Sequence, residues 1–277
     1  MGKYRALINK KKSNKNIFKD IPITNFGKEI GQLGLIHYKF KEFWEVKKEI
    51  QLNEGDAYAT CILYLRNTKI IYSINNLIIL YDIEANKIIQ NKKIHEKEIN
   101  NLLKISETKI ISYSKDKTIK FIKIKNNFTD FEEYNSLEIH SDEVNQVIKL
   151  KKENLYASCS NDKIIFIWEI NNNKIGIKKV LLENTDNIIS ILELNNEIVS
   201  ISVNGYLKFW NNIYCIKILK GLYSPLRNSL YYFKDNIITI GTKNQIIFVD
   251  SIKKEKIKVF KLNHICFSIS YFEKKYF

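Results

Sequence analysis

Five stretches of this chain repeat one another without a gap, and that recurrence constrains the fold more than any single motif does. They are SINNLIILY (73–81), SKDKTIKFI (114–122), SNDKIIFIW (160–168), SVNGYLKFW (202–210) and GTKNQIIFV (241–249). Each opens on a small residue, passes through a polar turn and continues as a short apolar run. The closing residues Tyr81, Ile122, Trp168, Trp210 and Val249 lie 41, 46, 42 and 39 residues apart. A period near 40 residues suits a unit of four short strands.

The flanks of each stretch agree. Immediately upstream lie TKIIYSI, TKIISYS, NLYASCS, NEIVSIS and DNIITIG, and further upstream ATCILYL, INNLLKI, VNQVIKL, IISILEL and SLYYF. All are short, rich in Ile, Val, Tyr and Phe, and bounded by polar residues, which are strand signals. Several are apolar on both faces, as expected of sheets packed between neighbouring sheets. No long amphipathic helix is visible. Turn signals are blurred, because the chain has only 9 Gly and 2 Pro and uses Asn and Lys in their place.

Residues 136–170, SLEIHSDEVNQVIKLKKENLYASCSNDKIIFIWEI, resemble a WD repeat. That family builds each blade of a β-propeller around a structural tetrad of His, Ser or Thr, Asp and Trp. The resemblance implies that His140, Ser158 or Ser160, Asp162 and Trp168 fill these roles. The preceding repeat keeps His95 and Asp116 but has Ile122 in place of Trp; the next keeps Trp210, with Asn184 and Asn204 at the His and Asp positions. In such a tetrad the Asp carboxylate accepts from the His ring, the ring meets the hydroxyl, and the hydroxyl meets the indole N–H, so each buried polar group satisfies the next.

A propeller joins its ends to avoid open sheet edges. The segment HICFSISYFEKKYF, with His264 in the expected place, reads as a first strand. Residues 35–52, with Trp44 37 residues before Tyr81, read as a third and fourth. The expected architecture is therefore all-β, one propeller of six or seven four-stranded blades whose termini share a blade, occupying residues 21–277. Residues 1–20 form a basic tail expected to be disordered.

The same chain carries 45 basic and 30 acidic residues, a net charge of +15. Seven of the basic residues fall in residues 1–19, which hold no acid, leaving the body only moderately basic. Such a balance favours polyanionic or acidic partners. Lys10, Lys11 and Lys12 read either as a phosphate-binding arm or as a nuclear import signal. The four cysteines, Cys61, Cys159, Cys215 and Cys266, form no CxxC pair and read as buried reduced thiols of an intracellular protein. His37, His95, His140 and His264 are scattered, without HxH or HExxH spacing, and no phosphate loop occurs, so neither a metal nor a cofactor is expected. No apolar run reaches the ~18 residues of a membrane span. His140, Ser158 and Asp162 could be mistaken for a catalytic triad, but they fall on repeat positions inside a blade.

The resemblance thus implies a non-catalytic scaffold that docks proteins, and possible RNA through the basic tail, with no membrane or small-molecule substrate. Partners are expected on the face that displays Glu96, Lys97, Lys117, Glu143, Lys163, Tyr206 and Gln245. The favoured setting is nuclear RNA processing or ribosome biogenesis, in the nucleus or nucleolus. A cytosolic scaffold in trafficking, signalling or ubiquitin transfer is the alternative within the class, and a propeller hydrolase the alternative outside it.

Overall fold

The structure, a computed structural model, describes residues 59–262 apart from 67, 126, 172, 173, 223 and 235. The basic tail, His37, Trp44, His264, Cys266 and the two segments expected to share a blade lie outside the described residues. The described part is all-β: twenty strands form five four-stranded antiparallel sheets, each drawn from consecutive strands. The first contains β1 (Ala59–Tyr64), β2 (Lys69–Ile74), β3 (Leu77–Asp82) and β4 (Lys87–Lys93). The second contains β5 (Ile99–Lys104), β6 (Lys109–Ser114), β7 (Ile119–Ile124) and β8 (Phe131–Leu137). The third contains β9 (Val144–Lys149), β10 (Leu155–Ser160), β11 (Ile165–Asn171) and β12 (Lys174–Leu181). The fourth contains β13 (Ile188–Leu194), β14 (Glu197–Ser202), β15 (Leu207–Asn211) and β16 (Tyr214–Leu219). The fifth contains β17 (Pro225–Lys234), β18 (Ile237–Thr242), β19 (Gln245–Asp250) and β20 (Glu255–Lys261).

Burial explains why these segments are strands. The second strand of each sheet, such as Lys69–Ile74 or Leu155–Ser160, is buried at nearly every position. An apolar residue is therefore favoured on both faces, and the runs read as continuous rather than alternating. Four apolar clusters separate the five sheets. Ile71, Ile78 and Leu80 of the first sheet meet Ile110, Ile122 and Phe131 of the second. Tyr113 and Phe121 of the second meet Val147, Tyr156 and Trp168 of the third. Ala157, Cys159 and Ile165 meet Ile191 and Trp210 of the fourth. Val199, Leu207 and Phe209 meet Ile238, Ile247 and Val249 of the fifth. Each such fully buried large side chain contributes about 1.5–3 kcal/mol. The faces of the first and fifth sheets that point away from this stack are buried too, through Tyr72 and Tyr81 on one and Thr239 and Phe248 on the other.

Polar bonds set the step between sheets. Asn100, second in β5, donates through Nδ2 to the carbonyl of Val144, first in β9, at 2.7 Å. Asn145, second in β9, does the same to Ile188, first in β13, also at 2.7 Å. An Asn at one repeat position thus ties sheet two to sheet three and sheet three to sheet four.

The fourth strands, β4, β8, β12, β16 and β20, are where sequence reading found nothing. They are mostly exposed or half-buried and mix charged or polar residues with apolar ones, so no face is marked as core. All five sheets carry a register shift at the same place against this strand, between Leu80/Tyr81, Phe121/Ile122, Ile167/Trp168, Phe209/Trp210 and Phe248/Val249. The gapless repeat also hides a difference in turn length. Sheets two, three and four have four-residue turns, 115–118, 161–164 and 203–206, while the first and fifth close with two residues, Asn75–Asn76 and Lys243–Asn244.

Candidate functional site

The four-residue turns and the loops entering the next sheet meet at one end of the stack, and buried polar chains hold them there. In the third sheet His140 Nδ1 lies 2.8 Å from Asp162 Oδ2, and His140 Nε2 lies 2.9 Å from Ser158 Oγ. Trp168 Nε1 donates to the same Ser158 oxygen at 3.2 Å. All groups are satisfied if the indole donates to Ser158, Ser158 donates to Nε2, and Nδ1–H donates to Asp162. Ser158, rather than Ser160, is the hydroxyl in this chain. Ser160 faces the loop and donates to the Asp142 carbonyl while accepting from the Asp162 N–H.

Asp162 has more than one partner. Its carboxylate accepts from the N–H groups of Ser141, in the entering loop, and Ile164, in the turn. Burial pushes the carboxyl pKa up, but the bond from His140 and these N–H groups outweigh it and hold the value below the ordinary 3.8. The second sheet repeats the pattern. His95 Nδ1 lies 2.8 Å from Asp116, His95 Nε2 lies 2.8 Å from Ser112, and the Glu96 N–H reaches Asp116 at 2.9 Å. Asp116 is likewise lowered, against burial, by His95 and Thr118. Ile122 stands where an indole would, so Ser112 has no such donor and the position is apolar packing alone.

The fourth sheet solves the same problem with different residues. Trp210 Nε1 donates to Ser200 Oγ at 2.8 Å, and Ser202 donates to Asn204 at 2.6 Å. Asn184 is buried without a partner for its Nδ2. The loop is instead held by Lys208, which is 3 % exposed, donates to the Glu183 carbonyl and lies 5.7 Å from the Trp210 ring centroid. Sequence reading missed Lys208, since a lysine inside a strand reads as a solvated face. Its neighbour in register, Ser200, is the signal that places it in this chain.

These chains set the outer surface. Lys117 and Lys163 occupy equivalent turn positions, with φ of 77° and 71°, and both side chains are exposed. Gly205 holds the same position in the fourth sheet with φ of 75°, where a Cβ would come within 2.7 Å of the Leu222 backbone. Glu96 and Lys97 are exposed on the loop between sheets one and two. Tyr206 is half-buried, with Lys220 Nζ 5.1 Å from its ring centroid. Gln245 opens β19 and is half-buried. Glu143 does not stand free. Arg227 from the fifth sheet grips it with two bonds, 2.8 and 3.0 Å, and also donates to Asn100 at 3.2 Å. Burial raises the Glu143 pKa, and the Arg227 guanidinium overrides it and holds the carboxyl low. Arg227 thus joins the entering ends of sheets two, three and five.

Ser158 is fully buried, and a hydrolytic serine must meet its substrate, so this trio has no nucleophile to offer. Among the described residues no three His, Cys, Asp or Glu side chains group as a metal site, and no helix is long and apolar enough to cross a membrane. The thiols of Cys61 and Cys159 are pushed up by burial, Cys61 to about 11, which keeps the former protonated and unreactive at neutral pH. No family model and no curated protein matches the sequence.

Proposed function

We propose that the chain is a WD-type β-propeller that works as a non-catalytic scaffold, docking other macromolecules on the end of the sheets where the turns and entering loops meet. The observation that carries this reading is the complete chain Asp162–His140–Ser158–Trp168, which fixes a loop and a turn at a buried core. Such a device stiffens a surface and does no chemistry. Contact of β17 with both β13 and β9 supports a ring, because strands from non-adjacent sheets meet only around a common axis. Buried outward faces on the first and fifth sheets support closure. Residues 35–52 and 264–277 would supply a sixth blade between them.

The favoured setting is a nuclear ribonucleoprotein assembly. The seven basic residues of residues 1–19 suit an RNA-rich partner, since neutralising phosphates drives such binding. The test is affinity purification of the tagged chain from its own cells, with and without RNase, beside the triple variant Lys97→Glu, Lys117→Glu, Lys163→Glu. Ribosomal precursors or processing factors should co-purify with the parent chain and fall away from the variant. A partner set untouched by both the variant and RNase would refute the docking face and the RNA setting together.

A further inference from the structure

At the opposite end of the stack the apolar interface between sheets two and three opens into a groove of about 440 Å³. Ile105 and Ile170 form its apolar floor. Tyr134 and Tyr156 wall it, and Lys109 stands over Tyr134 with Nζ 5.6 Å from the ring centroid. Asn154 and Asn171 complete the lining, the Asn171 side chain bonded to Glu169.

This wall is rigid. Tyr156 stacks on Trp168 with centroids 4.9 Å apart, and Phe121 packs edge-on to Trp168 and tilted against Tyr134. Its ammonium has no carboxylate partner: among the described residues Lys109 carries no ion pair, whereas Lys104, Lys120, Lys125 and Lys178 of the same two sheets have carboxylate partners. Burial raises both phenol pKa values, and Tyr134 raises that of Tyr156 further, so both hydroxyls remain protonated donors at neutral pH.

We propose that this groove binds a carboxylate side chain carried by an extended apolar peptide segment. One ammonium and two phenols line the same groove and no carboxylate is among its lining residues, so the complementary group is an anionic acceptor. The volume is at the small end of ligand sites and holds one or two side chains rather than a cofactor. The exposed Asn154 amide can pair with both peptide N–H and C=O groups, which points to a peptide rather than a free carboxylate. The site is separate from the loop end and stands whether or not that face docks a partner.

The test is titration of the full chain with acetyl-Leu-Glu-Leu-amide, its Gln counterpart, benzoate and succinate, read by saturation-transfer NMR and calorimetry. The Glu peptide should bind, with at least about a tenfold loss for the Gln peptide and for Lys109→Met. Tyr134→Phe should weaken it less, with the melting temperature unchanged in both variants. The comparison of Glu with Gln peptide on the parent chain decides the matter even if a variant misfolds. Equal binding of the two peptides, no binding at all, or binding undiminished by Lys109→Met would overturn the site. Benzoate or succinate binding as tightly as the Glu peptide would overturn the peptide assignment.

Discussion

Asp162 shows how much one side chain can hold. It accepts bonds from His140 and from the N–H groups of Ser141 and Ile164, so Asp162→Ala strands three donors, the buried His140 ring among them. The expected cost is about 1.5–3 kcal/mol, measurable by urea unfolding. Asp116 and Asp162 both have folded pKa values below the ordinary 3.8. A lowered value means that their stabilisation is complete above pH 3.8 and is lost as the pH falls through the folded values. The melting temperature should therefore hold from neutral pH to about 5 and drop below about 4, and the double variant Asp116→Asn, Asp162→Asn should flatten that drop. Lys163 sits in the left-handed region, where a side chain costs about 1–2 kcal/mol. Lys163→Gly should therefore stabilise the fold by up to about 1 kcal/mol after the entropy of glycine is subtracted. Gly205→Ala should destabilise it, because the added Cβ meets the Leu222 backbone as well as the unfavourable φ. The sequence could name His140, Asp162 and Trp168 but left Ser158 and Ser160 open. Two residues apart on one strand, they share a face, and only their distance from the turn decides which of them meets the indole.

At the scale of elements, the second and third strands of every sheet were legible because both of their faces are mostly core, and the first strands because they are short apolar runs. The outer strands were not, since β16 exposes Tyr214, Ile216 and Ile218 beside Lys217 and so offers no hydrophobic period. Turn chemistry was half legible. Asn supplies eight of the left-handed positions, including Asn75, Asn86 and Asn154, as expected where Gly is scarce. The two-residue tightening of the first and fifth turns was invisible, because equal segment lengths absorb it. That tightening also explains the lost polar chains, since a two-residue turn has no position for an Asp facing the loop. The step between sheets rests on Asn100 and Asn145. Asn145→Ala should cost about 1–3 kcal/mol by stranding the buried Ile188 carbonyl, and hydrogen exchange should rise at the β9–β13 boundary before it rises elsewhere. An unchanged exchange pattern would mean that apolar packing alone sets the step.

At the scale of the molecule, stability is a sum over sheets and the interfaces between them, as in other repeat architectures. The two terminal sheets are then the weak points, unless something covers their outer faces. Tyr72 is 0 % exposed and Phe248 8 %, so those faces are not open to water. The proposed scaffold would need a ring that does not fray, and fraying would begin at these two faces. The deciding measurement is the thermal unfolding of the chain with residues 263–277 removed, followed by calorimetry and by binding of a hydrophobic dye. If those residues help close the ring, the truncated chain should lose its single cooperative transition, melt well below the parent and bind dye at room temperature. A truncated chain that melts as the parent does, with no new dye binding, would contradict the closed ring.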